Sequence, residues 1–252
     1  MPITHVHGTP GPDELYGDIF SDLISTSAAS QIISGGGGND TLFGDVVDVL
    51  IYALGGDDTI AGDSGDDIVC GEALGMLFSQ GGNDAINGGA GNDLLVGDVL
   101  IALLSGGGDD TINGGSGNDT LIGDFYVPLG GTSGGDDILN GGSGNDLLIG
   151  DFAESGGEVG GNDTMTGGDG EDTFYFTGAT GHDVITDFNR RDDLLRVNDP
   201  GISSFTDLSI TEDSHHNAVI HFSPDDDVTL LHVHARSLSA VNFVFGVDPT
   251  IS

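Results

Sequence analysis

The chain has 252 residues, 42 acids against four bases and a formal net charge of -38, with no lysine. That balance excludes nucleic acid and anionic membrane surfaces as electrostatic partners and favours hard divalent cations. A single cysteine, Cys70, rules out an intramolecular disulfide, and no stretch is long and apolar enough for a membrane-spanning helix, so membrane insertion is not expected.

Residues 1–7 form an N-terminal lead-in without the basic region and apolar stretch of a cleavable signal. From residue 8 to 175 a nine-residue phrase recurs, as in Gly114-Gly115-Ser116-Gly117-Asn118-Asp119-Thr120-Leu121-Ile122, with close copies opening at Gly35, Gly62, Gly88, Gly141 and Gly167. Each copy carries a carboxylate at the sixth place and an apolar residue at the eighth. A repeat at this period is the mark of a solenoid. Sixth-place aspartates begin weakly with Asp13 and Asp22 and continue at Asp40, Asp58, Asp67, Asp84, Asp93, Asp110, Asp119, Asp137, Asp146, Asp163 and Asp172, while Gln31 fills that place in one copy. Eighth-place residues such as Leu42, Ile60, Val69, Ile86, Leu95, Ile112 and Leu121 are mostly branched aliphatics, suited to a narrow interior between short facing strands. Cys70 follows the inward-pointing Val69 and reads as a small filler, exposed or half covered.

From Asp58 onward the aspartates come in pairs, and between pairs lies a third segment that opens Gly-Asp or Gly-Glu and lacks the sixth-place acid. Its second residue is always acidic: Asp18, Asp45, Glu72, Asp98, Asp124 and Asp151. Two geometries fit. Every nine residues could make a half-turn, leaving the third segment a metal-free half-turn. Alternatively the paired phrases make one turn, the third segment bulges out and like stacks on like. The near-nine length favours the first; glycines at the ends of 123–131 and 150–157 speak against it.

Beyond residue 175 glycine thins out and all four arginines appear, at 190, 191, 196 and 236. Alternating runs at 205–210, 218–222, 228–234 and 241–245 read as strands. Residues 176–252 are therefore expected to form a β-rich cap over the open end of the solenoid. His232 and His234 would lie on one strand face, with His215, His216 and His221 near in sequence, and read as ordinary exposed residues.

The chemistry of the phrase points to calcium. Glycines at places one, two and four allow positive φ and inward carbonyls. A carboxylate and carbonyls from stacked phrases make an all-oxygen cage of roughly six to eight ligands at about 2.3–2.6 Å, which suits calcium better than magnesium. Zinc would want nitrogen or sulfur, and the repeats hold no histidine. Each turn has too little apolar area to offset the entropy of its glycines, so ion binding must supply folding free energy.

The phrase resembles the nonapeptide of RTX (repeats-in-toxin) proteins, the haemolysin-type calcium-binding family exported by type I systems of Gram-negative bacteria. The stretches 181–188 and 238–245 resemble the family's C-terminal region, which carries an uncleaved export signal. The resemblance implies a right-handed parallel β-roll, and several Ca2+ ions held by Asp40, Asp58, Asp67, Asp84, Asp93, Asp110, Asp119, Asp137, Asp146, Asp163 and Asp172, with Gly35, Gly62, Gly88, Gly114, Gly141 and Gly167 contributing backbone carbonyls. It also implies the type I secretion machinery as a partner, and a secreted, extracellular or cell-surface location. Two departures stand out: the interruption every 26 or 27 residues, and the seven residues after Phe245.

No His-Glu-x-x-His and no phosphate-cradling loop is present, so no catalytic residues and no enzymatic activity are expected. The reading is a secreted, non-enzymatic calcium-binding protein. Its rivals are an accessory module of an extracellular polysaccharide-modifying enzyme and a calcium-dependent surface or matrix adhesion protein that holds extracellular polysaccharide.

Overall fold

The protein is described from a computed structural model that covers residues 4–16, 30–44, 50–51, 55–72, 75–128, 131–152, 159–177 and 180–246. Asp18, Asp22, Ile24, Asp45, most of 46–52 and the residues after 246 lie outside the described residues.

Short strands alternate with glycine turns and stack in parallel. First-phrase strands Gln31–Ser34, Thr59–Ser64, Ala85–Ala90, Thr111–Ser116, Ile138–Ser143 and Thr164–Asp169 build one sheet, preceded by Thr4–His7. Second-phrase strands Glu14–Tyr16, Thr41–Phe43, Ile68–Cys70, Leu94–Val96, Thr120–Ile122, Leu147–Ile149 and Thr173–Phe176 build the facing sheet. Register puts like on like: Ile60 pairs with Ile86 and Ile86 with Ile112, as Val69 pairs with Leu95 and Leu95 with Leu121. The repeat unit is therefore 26 or 27 residues, and eighth-place side chains of both sheets merge into one buried row. The fold is a parallel β-roll.

The half-turn geometry is not what forms. A Cβ placed on Gly97 would overlap both the Asp110 carboxylate and the Gly123 carbonyl, so the chain leaves the roll at Gly97 and rejoins it at Asp110. The third segment is an excursion, yet not a loose bulge. Its strands Leu50–Ile51, Gly75–Leu77, Val99–Leu103 and Phe125–Pro128 pair in parallel as a third sheet. Side chains on neighbouring strand positions point to opposite faces, so the ninth-place residues turn away from the main core. Phe43, Cys70, Val96, Ile122, Ile149 and Tyr175 form a second apolar row there, joined by Tyr126 of the third sheet. Val99, Ala102 and Phe125 are buried, while Ile101 and Leu104 remain exposed. Cys70 is accordingly fully buried rather than half covered, because the excursion roofs the sheet face that carries it.

Both principal sheets run on past residue 175. His182–Ile185 pairs in parallel with Thr164–Asp169 and then with Asp227–Leu230, followed by antiparallel Ala218–His221 and Ser209–Glu212. Leu194–Val197 and Phe243–Phe245 extend the facing sheet. The row of core residues continues through Phe188, Ile220, Leu230 and Phe243. Likewise Thr4–His7, the lead-in, already pairs in parallel with Gln31–Ser34. The run at 205–210 begins as a 3-10 turn, Phe205–Asp207, because Asp207 accepts hydrogen bonds from the Ser203 amide and the Ser204 hydroxyl. The run at 228–234 stops as a strand at Leu230, and His232 turns left-handed with φ 63°.

Candidate metal centre

The sixth-place aspartates open the strands from the turns at both edges of the roll, and stacking sorts them into two rows. Asp40, Asp67, Asp93, Asp119, Asp146 and Asp172 line the edge where the first phrase passes into the second. Asp58, Asp84, Asp110, Asp137 and Asp163 line the opposite edge, where the third segment departs and returns. All eleven are buried.

Each carboxylate divides its oxygens. Oδ1 accepts the backbone N–H of the equivalent residue one turn earlier: Asp93 Oδ1 from Asp67 at 2.8 Å, Asp119 from Asp93 at 2.8 Å, Asp110 from Asp84 at 2.7 Å and Asp58 from Gln31 at 2.6 Å. Oδ2 of Asp40, Asp67, Asp84, Asp93, Asp110, Asp119, Asp137, Asp146, Asp163 and Asp172 is buried with no hydrogen-bond partner among the described residues. Leaving ionised oxygens in that state costs several kcal/mol each, on the order of the effective penalty for burying an unpaired ion.

The glycines explain what surrounds these oxygens. Places two and four take positive φ, as at Gly89 (109°) and Gly91 (142°). Place one does not; it is glycine because there is no room. A Cβ on Gly62, Gly88, Gly114 or Gly141 would overlap the Oδ2 of the aspartate five residues on, and would lie 2.6–2.7 Å from the carbonyl oxygen of the corresponding glycine in the next turn. Gly35 and Gly167 face Asp40 and Asp172 in the same way. Beside Gly35, Gly62, Gly88, Gly114 and Gly141 a carboxylate oxygen and a backbone carbonyl oxygen converge, in a stretch without arginine, lysine or histidine. That is a hard-cation donor set.

All six glycines singled out from the sequence therefore serve one row. Beside Asp58, Asp84, Asp110, Asp137 and Asp163 the close glycines are instead Gly44, Gly71, Gly97, Gly123 and Gly150, which open the third segments. The invariable Gly at that place was the available signal, and contiguity in sequence hid it, since each reaches an aspartate across the whole excursion. Asp183 and Asp193 were also missed. Both are buried and continue the two rows, accepting the amides of Asp163 (2.9 Å) and Asp172 (3.1 Å). They follow at 20 and 21 residues because the last turn has no third segment. Asp193 differs from the row it ends, since its Oδ2 takes the Asn189 amide at 2.7 Å.

Burial pushes these carboxyls up. Asp67, Asp93, Asp119 and Asp146 rise from 3.8 to about 6, and neighbouring carboxylates of the same row add to the effect. The row beside the third segments is deeper: Asp163 rises to about 7 and Asp110 to about 8, again through burial first.

The histidines do not share a strand face as the sequence suggested. His216 and His234 flank Glu212, at 3.5 and 3.4 Å, and His182 and His221 flank Asp227, at 3.3 and 3.4 Å. Among the described residues no three His, Cys, Asp or Glu side chains converge to hold a metal by themselves, so the cages above need their backbone oxygens. The string Gly131-Thr132-Ser133-Gly134-Gly135 spells a Gly-x-Ser-x-Gly pattern. Ser133 sits in a solenoid loop, bridged in parallel to Gly106 and Val159, and not in the strand-to-helix elbow that such a nucleophile requires.

Residues 7–42, 50–73, 77–99, 103–125, 132–152 and 160–185 match the family described as RTX calcium-binding nonapeptide repeat (4 copies). No curated protein sequence matches the chain significantly. Similar solved structures include the AlgE6R2 subunit of the Azotobacter vinelandii mannuronan C5-epimerase, at 27% identity, covering 59% of this chain and 92% of that one with a TM-score of 0.37. The AlgE6R3 subunit of the same enzyme matches at 29% identity over 54% and 78%, TM-score 0.40. The extracellular lipase LipA of Serratia marcescens matches at 18% identity over 87% of this chain and 40% of the lipase, TM-score 0.39.

Proposed function

The chain belongs to the family of RTX calcium-binding nonapeptide repeats, and from that membership we propose that it is a secreted, non-enzymatic protein whose roll folds on binding extracellular calcium. Its repeats bind several Ca2+ ions. In this reading the free Oδ2 atoms of Asp40, Asp67, Asp93, Asp119, Asp146 and Asp172 and the carbonyls of Gly35, Gly62, Gly88, Gly114, Gly141 and Gly167 hold one set of ions. Asp58, Asp84, Asp110, Asp137 and Asp163 hold a second set at the opposite edge, beside the glycines that open the third segments.

The observation that carries the proposal is the row of buried carboxylate oxygens without partners, in a stretch where no arginine or lysine occurs before residue 190. Folding brings like charges into register, and only cations can offset that repulsion while leaving the carboxylates ionised. Extracellular calcium modules commonly bind at about 10⁻⁴–10⁻³ M, so the chain would stay unfolded in a calcium-poor cytosol and fold after export by a type I system. No helix of the described residues is long and apolar enough to cross a membrane.

The test is a far-UV circular dichroism titration. The chain should be largely unfolded in excess chelator and gain β structure at millimolar calcium, with magnesium much less effective. Unchanged β content in chelator would defeat the folding switch.

A further inference from the structure

Resting on the calcium reading above, we propose that the acids opening the third segments, Glu72, Asp98, Asp124 and Asp151, form a further row of divalent-cation ligands that lies outside the nonapeptide. All four are buried, three of them with no exposed surface at all. Their backbones stack like on like, the amide of Glu72 donating to the Asp98 carbonyl at 2.9 Å, Asp98 to Asp124 at 3.2 Å and Asp124 to Asp151 at 3.2 Å. Carboxylates of one sign are thus superposed along the roll at about the 4.8 Å spacing of neighbouring strands.

Each again divides its oxygens. Glu72 Oε1 accepts the Gly82 amide at 2.6 Å, Asp98 Oδ2 that of Gly108 at 3.2 Å, Asp124 Oδ1 that of Gly135 at 3.1 Å and Asp151 Oδ1 that of Gly161 at 2.6 Å. The other oxygens, Glu72 Oε2, Asp98 Oδ1, Asp124 Oδ2 and Asp151 Oδ2, are buried with no hydrogen-bond partner among the described residues. Glycines wall the row: a Cβ on Gly107 would lie 2.7 Å from Asp98 Oδ2, and one on Gly134 would lie 2.6 Å from Asp124 Oδ2. The amides hold these side chains aimed inward, and every donor in view is oxygen. A hard divalent cation, completed by backbone oxygens as at the nonapeptide sites, is the ligand that this chemistry recognises. The competing account is that the acids carry protons and bond to one another, since the side chains of Glu72 and Asp98, and of Asp124 and Asp151, lie within hydrogen-bonding reach once one of each pair is protonated.

The experiment counts calcium. Full-length wild type, Asp98→Asn/Asp124→Asn and the comparison variant Asp93→Asn/Asp119→Asn are dialysed to equilibrium at millimolar calcium, and bound ions per folded chain are measured. Asparagine keeps one oxygen to accept the glycine amide and replaces the other, the proposed ligand, with an uncharged NH2 group. The third-segment variant should lose bound ions while still gaining β structure with calcium. The same count and midpoint as wild type would overturn the proposal and assign the acids to protons. A wild type that binds no calcium would instead sink the broader reading, whatever the variants do. Should the double variant not fold, Glu72→Gln, the first of the row among the described residues, decides: a lower count supports the row, an equal count overturns it.

Discussion

At the scale of single residues, a sixth-place aspartate such as Asp93 divides its two oxygens: Oδ1 closes a backbone amide of the preceding turn, and Oδ2, buried without a hydrogen-bond partner among the described residues, is the one proposed to hold an ion. Asp119 and Asp146 are successive members of one row, since the Asp119 amide donates to Asp146 Oδ1 at 2.8 Å. Replacing both with alanine should therefore remove neighbouring sites together, raising the calcium midpoint by about tenfold or more, roughly 1.4 kcal/mol for each tenfold step. The same titration should be unmoved by His232→Ala, whose exposed side chain lies outside both rows. An equal shift in the two variants would mean that the aspartates act only through general stability. Spacing alone marks where the aspartates fall, two residues before each core aliphatic, while their role as ligands comes from the family resemblance. The glycines at the opposite edge are not marked by it, because their partners lie 13 or 14 residues away and only closure of the excursion brings them together.

At the scale of the elements, the third segment is the departure from a plain nonapeptide solenoid. It leaves and rejoins at one edge, adds a sheet of its own and buries the ninth-place residues that an uninterrupted roll would expose. Cys70 reports on that cover. It has no exposed surface, and burial pushes its thiol up to about 12. In millimolar calcium it should resist an aromatic disulfide reagent at about pH 8, and in chelator it should react at the rate of a free thiol. Fast reaction in calcium would mean that the third sheet does not cover its neighbour. The aromatic stack of Phe125 on Phe152, with centroids 5.8 Å apart, supports the same cover at the far end. The sequence leaves these segments as either half-turns or bulges, and nothing in their order tells which sheet they would lie against.

For the whole molecule, the proposed sites set protons and calcium in competition for the same carboxylates. Asp93 at about 6 and Asp110 at about 8 are raised from the 3.8 of the unfolded chain, so the cation-free fold binds more protons than the unfolded state. The penalty for ionising them in the fold is absent below about pH 4, grows as pH rises through 6 to 8, and is full above that. Without calcium, acidification from about pH 8 to about pH 5 should therefore promote structure. With calcium, the midpoint should rise by about tenfold or more between about pH 8 and about pH 6, with protons released on binding. A midpoint that ignores pH would show that the rows are not the ligands. Residue type at fixed spacing is enough to specify the repeat, the carboxylate ladder, the aliphatic core and the choice of cation. It takes the packing of whole turns to show that like stacks on like over 26 or 27 residues, that the third segment forms a third sheet, and that its opening acids are buried with an oxygen to spare. Those outcomes depend on which turn lies against which, and contacts between turns carry no signature within a single repeat.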